Sequence, residues 1–111
     1  MIDWSRVAEL RDEIGAEDFQ EVVDLFLNEV AGALAELQEA AEDPGELEAR
    51  LHFLKGSALN LGFAALSELC QHGETAARRG ATDGISLDRV AEVYERSRVE
   101  FLRELPQRLA A

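Results

Sequence analysis

His52, Lys55, Gly56 and Glu74 are the residues of this chain whose types and spacing suit chemistry. On a helical wheel Leu47, Leu51, Leu54, Ala58 and Leu61 share one apolar face. His52 lies about 140° round from it at 100° per residue, on the side turned to solvent. Lys55 and Gly56 follow it by one turn, and Leu59 by two. The pattern predicts an exposed imidazole with an ammonium beside it and no side chain at Gly56. A neutral imidazole has a lone pair free for nucleophilic attack. Lys55 is the only lysine against ten arginines, so a compact ammonium is used at this one place. Glycine in a helix interior costs about 1 kcal/mol relative to alanine. Accepting that cost beside the histidine points to close approach by another molecule.

Gly62 reads as a helix C-terminal cap, after which the chain folds back. His52 precedes that turn by ten residues, so His72, Gly73 and Glu74 come level with it on the next helix. Glu74 is placed to accept a hydrogen bond from one ring nitrogen, leaving the other as nucleophile. Gln71, one turn earlier, is a second candidate for that role and for partner contact. Phe53 and Leu59 beside His52 are candidates for a partner-docking patch. Taken singly, each of these residues is an ordinary surface residue. Only the combination at fixed spacing argues for a site. His72 reads as a surface residue and Cys70 as a small core residue.

Five helices must position this cluster. Asp3 caps a short first helix to about Glu13, ended by Gly15. Glu17 and Asp18 place acid at the start of a long second helix, which carries Phe19, Val22, Val23, Phe26, Leu27, Val30, Leu34 and Leu37 to about Ala41. Residues 42–45 form a turn, with Pro44 suited to the start of the third helix, about 45–61. The fourth runs from about Phe63 to Arg79. Its inner face is Leu66, Leu69, Cys70, Gly73, Ala76 and Ala77, and the small residues there permit close packing on the third. After a loop at 80–84, Ser86 caps a fifth helix with the stripe Val90, Tyr94, Ser97, Phe101 and Leu105. Pro106 is expected to end or kink it. The expected fold is all-α: one domain over residues 1–111, an up-down antiparallel four-helix bundle with a short additional N-terminal helix as a lid.

The formal net charge is −12 and the only adjacent basic pair is Arg78-Arg79. That argues against nucleic acid and anionic membrane surfaces as partners. One cysteine excludes an internal disulfide and fits a reducing compartment. No signal peptide or apolar run of membrane length is visible, so the expected location is cytoplasmic.

His52-x-x-Lys55-Gly56-Ser57, continuing to Leu61-Gly62, resembles the signature of histidine-containing phosphotransfer (HPt) domains. The resemblance is close over roughly residues 47–79. The first helix and the loop at 80–85 depart from it most. It implies a four-helix bundle that carries a phosphoryl group on His52 in a two-component phosphorelay. It also implies receiver domains of response regulators or hybrid kinases as partners, with magnesium on the partner's side, and a working monomer. Glu74 stands where such domains often have Gln or Glu. Lys55 would offset part of the phosphoryl charge, and Gly56 would admit the partner's active site. No cofactor is expected. No glycine-rich phosphate loop is present, so a carrier without nucleotide site or autokinase activity is expected.

Three other readings compete. A non-catalytic module that binds a receiver domain is the nearest alternative, and intact His52, Lys55 and Gly56 argue against it. A metal-binding bundle needs Glu-x-x-His pairs on facing helices. Glu48 and His52 are four apart and no second pair exists. A kinase dimerisation domain would place an acid after the histidine and a proline where Gly56 stands.

Overall fold

The computed structural model describes residues 1–108; the last three residues of the expected 1–111 domain lie outside the described residues. The described chain is helical throughout, without strands: α1 Trp4–Ile14, α2 Ala16–Glu39, α3 Pro44–Leu61, α4 Ala64–Arg78 and α5 Leu87–Arg108, with one 3₁₀ turn, Thr82–Gly84, in the expected loop.

The capping chemistry explains where these helices begin and end. The Asp3 side chain accepts from the Arg6 amide, and Asp43 accepts from the Gly45 and Glu46 amides ahead of a proline at the first helical position. Ser86 Oγ accepts from the Arg89 amide at 3.1 Å. Of the two outcomes expected at Pro106, an end or a kink, the end does not occur there: α5 runs through it to Arg108, the last described residue. Among the described residues two helical ones follow it, and Leu102, whose carbonyl loses its partner there, is exposed to water.

α3 is the central element. Its apolar positions Leu47, Leu51, Leu54, Ala58 and Leu61 are all buried. Fully burying one such leucine contributes roughly 1.5–3 kcal/mol. α3 packs chiefly on α4 and also on α2, while α5 closes against both α4 and α2. Phe63 and Phe101 lie at the centre, with rings 5.4 Å apart, and Trp4 stacks on Phe101 at 5.7 Å. α1 therefore covers the end of the molecule where α3 turns into α4. Backbone bonds tie the chain there, Asp3 N–H to Gly62 C=O at 2.7 Å and Ala65 N–H to Met1 C=O at 3.2 Å.

Gly62 is required at this corner. Its φ is +85°, and a Cβ there would lie 2.8 Å from the Asp3 carbonyl oxygen. Gly73 serves packing instead, since a Cβ would meet the Leu51 side chain at 2.9 Å. That is how α4 comes close enough to α3 for short polar side chains to meet across them. Among the described residues no helix is long and apolar enough to cross a membrane.

Candidate functional site

α3 runs into the Gly62 corner and α4 runs back beside it, which fixes which residues face one another. His52 comes level with Glu74, Lys55 with Gln71, and Glu48 with Arg78. His52 is 70% exposed on α3. Its Nδ1 lies 3.1 Å from both carboxylate oxygens of Glu74.

Taken singly Glu74 reads as a surface residue, yet its side chain is only 3% exposed. Position 74 faces α3, and His52, Lys55 and Arg78 all bond to its carboxylate. Burial alone would push this carboxyl up. Hydrogen bonds from His52 and Lys55, with the charge of Lys55, outweigh burial and hold it below its ordinary value. An ionised carboxylate can only accept, so Nδ1 must carry the hydrogen. In the neutral ring the lone pair then sits on Nε2.

Lys55 departs from the expected arrangement. It does not stand in solvent beside the ring: its side chain is 19% exposed and its ammonium turns to α4. It donates to Gln71 Oε1 at 2.9 Å and pairs with Glu74 at 3.1 Å. Its long stem lets it reach the buried anion, which attracts it more strongly than open water does. Gln71 is thereby corrected as an orienting group for the imidazole. Its amide oxygen holds Lys55 and its amide nitrogen donates to Thr75 Oγ1 at 3.2 Å.

Gly56 is exposed, and a Cβ placed on it would meet nothing within 4 Å. Phe53 and Leu59 are about half exposed. Together with half-buried Phe26 and with Glu29 of α2, His52, Phe53 and Gly56 border an open cleft of about 350 Å³. The site thus has an accessible nucleophilic nitrogen, a fixed tautomer and an uncrowded approach. Among the described residues no cluster of His, Cys, Asp and Glu suits a metal ion.

A family model for the Hpt domain matches residues 21–111. The chain belongs to the Hpt domain family. Hpt domains perform histidine phosphotransfer in two-component phosphorelays and interact there with receiver domains. No curated protein and no solved structure matches the chain.

Within this Hpt domain two site residues escaped the sequence reading. Arg78 donates through Nε to Glu48 at 2.7 Å, and its Nη2 reaches Glu74 at 3.5 Å. Glu48, Ala49, His52, Glu74, Arg78 and Gly45 line a second cleft, of about 320 Å³. The signal was present in two forms: Arg78 follows Glu74 by four residues, and the register that sets Glu74 beside His52 sets Arg78 beside Glu48. His72 lies away from the ring, in a groove between α4 and α5 with Arg89 and Arg96. Cys70 is buried, and burial with the nearby Glu74 charge pushes its thiol up to about 12, so it is no nucleophile.

Proposed function

We propose that this Hpt domain is a phosphorelay carrier in which His52 Nε2 accepts a phosphoryl group from a receiver-domain aspartyl phosphate, or from a kinase, and passes it on. The observation that carries this reading is the exposed imidazole held through Nδ1 by a buried, ionised Glu74. In the transfer the Nε2 lone pair forms the N–P bond as the acyl O–P bond breaks. The aspartate leaves as a carboxylate, and the hydrogen on Nδ1 stays where it is. The ring becomes cationic, and Glu74 stabilises that charge. Gly56 lets the reacting atoms come to within about 3.5 Å, as in-line displacement requires. Phe53 and Leu59 supply apolar contact for the receiver, whose magnesium serves the acyl phosphate.

We read the architecture as an up-down antiparallel four-helix bundle of α2 to α5. Pairings across the helices support this: Glu36 with Arg50 for α2 and α3, Glu48 with Arg78 for α3 and α4, and Leu27 with Tyr94 for α2 and α5. The reading has the domain act as a cytoplasmic monomer, without a nucleotide site or activity of its own.

The test is transfer from a phosphorylated receiver domain. Acid-labile, base-stable label should appear on the wild type and be absent from His52→Gln. Label on His52→Gln would defeat the assignment. Binding of receivers without label would favour a non-catalytic docking module.

A further inference from the structure

The phosphoryl group needs a cation, and the geometry does not leave Lys55 free to be one. Its side chain is 19% exposed, and its ammonium is held between Gln71 and the buried Glu74 carboxylate. Drawing it out would take from that buried anion its closest full cation, which is costly. Arg78 is differently placed. It is 62% exposed, and its guanidinium shares the Glu74 oxygen Oε1 with His52 Nδ1. Of its five N–H donors, two are engaged: Nε to Glu48, and Nη2 to Glu74 at the limit of a hydrogen bond. The cleft that it borders has His52 as another wall.

We infer that Arg78 is the cation that receives the phosphoryl group once it is on His52, and that Glu48 is the latch that parks it beforehand. The inference rests on His52 being the phosphoryl acceptor. A planar fork suits phosphoryl oxygens better than an ammonium does. Glu48 lies one turn before His52 on α3, so its carboxylate repels the dianion that arrives and competes for the same guanidinium. The new dianion outbids a single carboxylate charge, and Arg78 needs only side-chain rotation to change partners. The charged groups round the ring are then Glu48, Glu74, Lys55 and Arg78 on α3 and α4, and Glu29 from α2 at the other cleft.

The experiment loads the full chain with phosphoramidate, which forms the Nε2–P bond as the donor's P–N bond breaks and ammonia leaves. The midpoint of the pH titration of the phosphohistidine signal is then followed by ³¹P NMR. Arg78→Gln should raise that value by about half a unit and Glu48→Gln should lower it by a similar amount, as expected for part-exposed charges. Arg78→Lys should restore part of the lost shift. A merely structural role would move neither value in opposite senses. Absence of a phosphohistidine signal from the wild type would remove the carrier reading itself. A loaded protein whose titration is the same in wild type and Arg78→Gln would overturn the role of Arg78, and an unmoved Glu48→Gln would overturn the latch.

Discussion

Gly56→Ala should make this domain more stable and a poorer phosphoryl acceptor from a protein donor. The magnitude follows from the site. Gly56 lies inside α3 and is exposed, and a methyl group there meets no atom within 4 Å. Nothing inside the molecule therefore opposes the change, and the full helix-propensity difference of about 1 kcal/mol should appear as added stability. For a domain of this size that is a rise in melting temperature of about 4 °C. Urea unfolding followed by helical circular dichroism should show a higher midpoint with an unchanged slope. Transfer from a phosphorylated receiver domain should fall from Gly56 to Ala and steeply to Leu. Loading by phosphoramidate, a donor too small to be obstructed, should stay near the wild-type rate. A destabilised Gly56→Ala would refute the claim that the glycine has no internal purpose. Unchanged transfer from the receiver to Gly56→Leu would refute the claim that its purpose is access.

Two further outcomes follow from the buried polar groups. Glu74→Gln should destabilise the domain by about 1–3 kcal/mol at neutral pH, because it removes the anion that Lys55 and His52 both bond. The native carboxyl is held below its ordinary value of 4.5, so its contribution is complete above that pH and is lost as pH falls through the lower native value. The gap in stability between wild type and Glu74→Gln should narrow as pH falls from 4.5 through the lower native value, and a gap that stays constant as the solution is acidified would contradict this. Ser97 is fully buried in α5 with no partner for its hydroxyl among the described residues. Ser97→Ala should be neutral or stabilising by up to about 1 kcal/mol, and a loss of more than 1 kcal/mol on denaturation would show that the hydroxyl has an unseen partner.

The positions of the helices were legible because their apolar stripes, caps and turn residues agree with one another. Leu47 to Leu61 marks the buried face of α3, and Gly62 can end it only in the left-handed conformation that it adopts. Once that corner is placed, counting outward from it sets Glu74 beside His52. Side-chain direction was less legible. A helical wheel puts Lys55 outside, but its four-carbon stem bends back to a buried anion that the wheel does not represent. Gln71 was misjudged for the same reason, since it faces Lys55 and not the ring. Arg78 reads on the sequence as a cation at a helix end, and its tie to Glu48 across 30 residues depends on the closeness of α3 and α4 that Gly73 permits. Pro106 does not end α5, because the carbonyl of Leu102 that it leaves unbonded is exposed to water.

The stretch matched by the family model starts at Glu21, inside α2, whereas the strap that holds the α3–α4 corner is made by residues before α2. Asp3 holds Gly62 itself, Met1 holds Ala65 after it, and Arg6 donates to the Asn60 carbonyl before it at 3.2 Å. Trimming the protein to residues 21–111 would thus unbuckle the corner from which the histidine and its glutamate are measured out. The helix that looks most like an accessory is the one that keeps the reacting ring and its anchor in step.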